Sequence, residues 1–245
     1  MTNRPGRKRF ALWLVVVLAC GGALALASDE VPRWAIGGTR MVAHQLLEPV
    51  GEFPLSLPPD ARIVVIGDSN STARRLAPGQ QGWPQQLQQL GPPAAAITNL
   101  STGGATSLSA STAHDPVPGG DLCIIMLGTN DAASRGLLAD REAMPLDRFR
   151  AALGRIVTSC RAAEMEDIVI LAPPPAGSAA MDRRIEPYRA AARAVAVRTG
   201  TGFLDPAAAF VHADEPMLQA DALHLSAAAH AALASWLAAA IWANR

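Results

Sequence analysis

The sequence predicts an α/β fold built on a parallel sheet, and three observations predict it. Short, unbroken apolar runs rich in β-branched residues, such as Ile63–Ile66 and Ile168–Ala172, suit strands covered on both faces. Stretches of helical periodicity fall between these runs, as in a layered α/β fold. The runs end in Gly67-Asp68-Ser69, Gly128-Thr129-Asn130-Asp131 and Pro173-Pro174-Pro175, turn-forming residues that belong at the carboxyl ends of parallel strands.

Taken in order, residues 1–9 are basic and Phe10–Ala27 is an uncharged, largely apolar run ending Ala25-Leu26-Ala27. That layout fits a secretory signal cleaved after Ala27, or an uncleaved membrane anchor through residues 10–27. Either places the domain outside the cytoplasm, periplasmic or secreted, or held at the inner membrane with the basic residues inside. Residues 28–60 carry Pro32, Pro49, Pro54, Pro58 and Pro59 around a helix expected near Thr39–Glu48, and read as a spacer that packs partly on the domain. The domain itself spans 61–245. Its expected strands are Ile63–Ile66, Ala95–Leu100, Leu122–Leu127, Ile168–Ala172 and Gly202–Leu204. Helices are expected over Pro84–Leu90, Leu146–Ala163, Met181–Thr199 and Ala227–Trp242. In the last of these, Leu233, Trp236, Leu237 and Ile241 recur at core-packing spacing.

Composition excludes several function classes. Basic and acidic residues number 21 each, but Arg4, Arg7, Lys8 and Arg9 all precede the first apolar run. Residues 28–245 hold 17 basic and 21 acidic side chains, which gives no electrostatic argument for nucleic acid. Lys8 is the sole lysine, so the domain has no Schiff-base lysine, Ser-Lys dyad or phosphate-loop lysine. No Cys-x-x-Cys or His/Cys cluster has metal-binding spacing, and no metal is expected. Cys123 and Cys160 should share the sheet end opposite the catalytic rim; two separately buried thiols are expected there in preference to a disulfide.

The chemistry concentrates in four short blocks. Gly67 permits a tight turn after the first strand, and Ser69 stands at a helix N-terminus, where a nucleophile and backbone N–H donors coincide. Gly104 allows a backbone N–H to approach a ligand without a Cβ in the way. Asn130 offers a side-chain amide to the same rim. Asp221 and His224, three residues apart, allow the carboxylate to hold one ring nitrogen while the other faces outward. A serine, a histidine and an orienting carboxylate meet the needs of acyl transfer. His44, His114 and His230 read as surface or packing residues, and His212 lies on a loop that could border the site.

Gly67-Asp68-Ser69, Gly104, Gly128-Thr129-Asn130-Asp131 and Asp221-x-x-His224 resemble, in order and approximate spacing, the four motif blocks of the SGNH (GDSL-like) hydrolases. The resemblance covers residues 62 to about 240. It implies a flavodoxin-like, three-layer α/β/α sandwich with a five-stranded parallel sheet and no cofactor. It also implies Ser69 as nucleophile, His224 as general base then acid, Asp221 as its orienter, and an oxyanion hole from the Ser69 and Gly104 N–H groups and Asn130. Asn70, Ser101 and Ala229 depart from the family's usual leucine and two glycines. The Gly-x-Ser-x-Gly signature of the α/β-hydrolases is absent. The expected activity is hydrolysis of small, acetyl-like esters on a glycan or small molecule through an acyl-serine. The alternatives are an O-acyltransferase with the same triad and a non-catalytic, membrane-tethered glycan-binding module.

Overall fold

The computed structural model describes residues 45–132, 142–211, 213 and 215–242. The apolar start at 1–27, the first part of the 28–60 segment, His44 and His212 lie outside the described residues. Five strands form one parallel sheet: β1 (Arg62–Gly67), β2 (Ala96–Asn99), β3 (Leu122–Met126), β4 (Asp167–Leu171) and β5 (Gly202–Leu204), in the order β2-β1-β3-β4-β5. The helices are α1 (Trp83–Leu90), α2 (Ser107–Ala113), α3 (Thr129–Ala132), α4 (Leu146–Ala162), α5 (Ala179–Thr199) and α6 (Ala227–Ile241). All five predicted strands are present, within a residue or two of their expected ends. α2 and the short α3 arise where no helix is expected.

The continuous apolar runs are explained by two-sided burial. Val64 and Ile66 of β1 face one helical layer with Cys123 and Ile125 of β3 and Phe149, Leu153, Ala192 and Val195 of α4 and α5. Ile63 and Val65 face the other layer, with Leu122 and Ile124 against Trp83 and Leu87 of α1 and Leu233 and Leu237 of α6. Each fully buried aliphatic side chain stabilises the sandwich by about 1.5–3 kcal/mol, so strand polarity on either face would be costly.

The sulfurs of Cys123 on β3 and Cys160 on α4 are bonded, with Cα atoms 6.4 Å apart. This corrects the expectation of separate thiols: β3 and the antiparallel α4 bring both fully buried residues to one point at the amino end of the sheet.

Residues 45–49 are not helical, which overturns the part of the Thr39–Glu48 expectation that is described. They begin a strap along the β5 edge. Val50 N donates to Phe203 O (3.1 Å), and Phe203 N returns a bond to Val50 O (2.9 Å). Leu55 N and Leu57 N then donate to the carbonyls of Ala240 and Ile241. Pairing covers an edge that would otherwise present open backbone groups.

A buried ion pair ties the strap to the rim. Arg189 of α5 is fully buried and bonds both Asp205 oxygens at 2.7 Å, while its second terminal nitrogen donates to Pro173 O. Asp205 also accepts Leu47 N (2.9 Å) and Ala207 N (2.9 Å).

Candidate active site

The order β2-β1-β3 reverses direction between β1 and β3, and ligands of open α/β sheets bind in the crevice at such a point. Ser69 follows β1 and Asn130 follows β3, so the topology delivers both to one crevice. A cavity of about 520 Å³ beside the strap, lined by Val50, Glu52, Arg161 and Asp167 among others, lies at the amino end of the sheet and contains none of the predicted site residues.

Gly67 is dictated by crowding at the turn. A Cβ there would stand 2.4 Å from Ser71 Oγ and 2.9 Å from Ser101 Oγ. Asp68 caps the following turn, Ser69–Ser71, by accepting Asn70 N at 2.9 Å. Ser69 is thereby presented at the start of a tight turn with its side chain nearly buried.

The structure brings Ser69, His224 and Asp221 together in one hydrogen-bonded series. His224 Nδ1 lies 2.6 Å from Asp221 Oδ2, and His224 Nε2 lies 3.0 Å from Ser69 Oγ. The other Asp221 oxygen accepts the backbone N–H groups of Leu223 (3.1 Å) and His224 (3.0 Å), an Asx-type turn that fixes the carboxylate. Burial alone would raise the Asp221 carboxyl. The hydrogen bonds and charge of His224, with the Leu223 amide, outweigh burial and hold the group at about 2. An ionised Asp221 can only accept, so Nδ1 carries the imidazole proton and Nε2 is left to accept from Ser69 Oγ.

The three predicted oxyanion donors are also gathered, with one complication. Gly104 has φ +81°, a left-handed conformation that a side chain would strain. The backbone amides of Ser69 and Gly104 carry no hydrogen bond to any described residue. Asn130 Nδ2, by contrast, is committed to two acceptors, Asp68 Oδ2 (3.2 Å) and Ala105 O (3.0 Å). Donation to a substrate oxygen requires one of these bonds to be exchanged. Asp68 is buried, and desolvation, partly offset by the Asn70 amide, pushes its carboxyl up to about 6.

Two residues to which the sequence assigned no partner bridge the serine turn to the histidine loop. Asn70 Oδ1 accepts Leu225 N at 3.0 Å in the buried interior, which gives a structural reason for asparagine at this position. Arg75 Nη1 donates to Asp221 Oδ2 at 3.0 Å. The motif position of Asn70 could have signalled the first; nothing in the sequence singles out Arg75.

Of the remaining histidines that are described, His230 takes the packing role expected and His114 lies at a helix end. Buried His230 accepts Trp83 N at Nδ1 (3.1 Å), and burial lowers it to about 4. Half-buried His114 ends α2. Among the described residues no group of three His, Cys, Asp or Glu could hold a metal ion, and no helix is long and apolar enough to cross a membrane.

Among curated proteins, none matches this chain significantly in sequence. Solved structures share its fold at low identity. LAE5, an alpha/beta hydrolase enzyme from the metagenome of Lake Arreo, Spain, is 23% identical with a TM-score of 0.62, over 75% of this chain and 96% of its own. Axe2, an acetylxylan esterase from Geobacillus stearothermophilus, is 24% identical with a TM-score of 0.58, over 72% and 92%. The lipase/acylhydrolase from Enterococcus faecalis is 20% identical with a TM-score of 0.56, over 72% and 93%. Residues 65–232 match the GDSL-like lipase/acylhydrolase family, well over half of the 245 residues. The chain belongs to that family and is a serine ester hydrolase.

Proposed function

We propose that the chain removes small, acetyl-sized acyl groups from carbohydrate esters through an acyl intermediate on Ser69, outside the cytoplasm and with residues 1–27 as its export signal or tether. The observation that carries this reading is the series Asp221–His224–Ser69, bonded at 2.6 and 3.0 Å. The acetylxylan esterase among the fold neighbours supports a small acyl group on a glycan.

In the proposed reaction His224 Nε2 takes the Ser69 Oγ proton as the oxygen attacks the acyl carbonyl carbon. Negative charge develops on the carbonyl oxygen, where the Ser69 and Gly104 amides and Asn130 donate. The imidazolium, held by the ionised Asp221, returns its proton to the departing sugar oxygen as the ester C–O bond breaks. Water attacks the acyl-serine and its proton passes to Nε2; as the second tetrahedral intermediate collapses, the C–Oγ bond breaks, Nε2 gives that proton to Ser69 Oγ, and the carboxylic acid leaves.

The test is hydrolysis of p-nitrophenyl acetate, butyrate and octanoate by the full-length protein and Ser69→Ala, followed by acetate release from acetylated xylo-oligosaccharides. Turnover that is lost in Ser69→Ala, falls with acyl length and extends to the glycan is expected. Preference for octanoate, or no acetate from any acetylated glycan, would overturn the substrate reading. Unchanged turnover in Ser69→Ala would overturn the mechanism.

A further inference from the structure

We propose that Arg75 is a positioning residue for the hydrolysis: its guanidinium fixes the Asp221 carboxylate against His224. The inference rests on the reading of His224 as general base.

Asp221 accepts four described hydrogen bonds. Three come from its own turn, from Leu223 N, His224 N and His224 Nδ1. The fourth comes from Arg75, in the segment that follows the serine turn, and it lands on Oδ2, the oxygen that holds the imidazole. The guanidinium carries its charge throughout the working pH range, so Oδ2 is shared between a permanent cation and the imidazole.

The segment is held for this purpose at a conformational cost. Ala73 (φ +57°) and Arg75 (φ +65°) are both left-handed without being glycine, a conformation that costs free energy and persists only where the surroundings hold it. The segment is fastened directly to the histidine loop, since Gln219 Nε2 donates to both Arg74 O (3.1 Å) and Leu225 O (2.9 Å). Arg75 is thus aimed at Asp221 by backbone geometry rather than reaching it as a loose surface side chain. The pair is only partly screened, with side-chain exposures of 30% and 22%.

Other charges face the imidazole. Asp68 lies behind the serine turn and His230 reaches it from α6, both within electrostatic range of His224. Arg74, the neighbouring cation, lies over Gly103. These groups are present in every Arg75 variant proposed below, so a change in rate on altering Arg75 is attributable to Arg75.

The experiment compares kcat and KM for p-nitrophenyl acetate in the full-length wild type, Arg75→Gln and Arg75→Lys, with Ser69→Ala as control. Arg75→Gln is expected to lower kcat by about tenfold with little change in KM, because the carboxylate that orients the imidazole loses its anchor while the substrate contacts stay. Arg75→Lys is expected to restore part of kcat, because an ammonium keeps the charge but not the planar fork. Wild-type kcat in Arg75→Gln, a change confined to KM, or a fall in kcat that Arg75→Lys does not relieve would overturn the proposal. If Ser69→Ala keeps the wild-type rate, the reading beneath it falls as well, which separates the two failures.

Discussion

Asn130 and Asp68 are bonded to each other on the floor of the crevice, with Nδ2 and Oδ2 3.2 Å apart, and the same amide also reaches Ala105 O at 3.0 Å. The amide is thereby held beside the Gly104 turn, with both its donors engaged. A developing oxyanion, being charged, is a stronger acceptor than a neutral carbonyl, so the bond to Ala105 is the one it should displace.

Asn130→Ala removes that donor while leaving the serine-histidine series untouched. Turnover of p-nitrophenyl acetate should fall by about 10²- to 10³-fold with the melting transition still cooperative. Wild-type turnover in the variant would take Asn130 out of the reaction.

Two buried titrating groups should oppose each other in the dependence of stability on pH. The Asp68 carboxyl is raised from 3.8 to about 6, so its contribution is fully present below pH 3.8 and lost as pH rises through 6. The His230 imidazole is lowered from 6.5 to about 4, so its contribution is present above pH 6.5 and lost as pH falls through 4. Each is worth about 3 kcal/mol across its window, with opposite sign. Asp68→Asn should therefore lose about 3 kcal/mol more than the wild type between pH 7 and 4, and His230→Gln should lose correspondingly less. Urea unfolding at several pH values measures this; parallel curves for all three proteins would sink the assignment.

Arg189→Met should destabilise by about 3–5 kcal/mol, because Asp205 would keep a buried charge with its principal partner gone. Adding Asp205→Asn should recover part of that loss, since the second change removes the stranded charge. A double-mutant cycle decides the point, and strictly additive losses would argue against coupling.

The sequence made legible whatever depends on periodicity or on short-range spacing. The strand runs of β1, β3 and β4 are apolar at every interior position because both faces are buried, and that signal survives without knowledge of partners. Asp221 and His224 were readable as a pair because one turn brings them together. The connection of Arg75 to Asp221 spans 146 residues and was not readable, since an arginine in a polar loop looks like a solvated charge. Arg189 was equally opaque: on a helix it reads as a surface residue, and its burial depends on where Asp205 is delivered by β5. The bond from Asn70 to Leu225 lies between these cases, because the motif marked the position but not the partner. α2 escaped notice because Ser107–Ala113 is small and polar; its start is fixed by a reciprocal Thr106–Ser109 cap and by the bonds of Ser107 to buried Asp131.

The strap along β5 bears on where this protein can be cut. A chain starting at residue 61 would keep every residue of the crevice, yet it would leave the Phe203 backbone groups bare on one side and take the Leu47 amide from Asp205. An unguarded strand of that kind recruits strands from other copies. A fragment meant to stay monomeric should begin upstream of Leu47, so that its outermost strand is already occupied by its own chain.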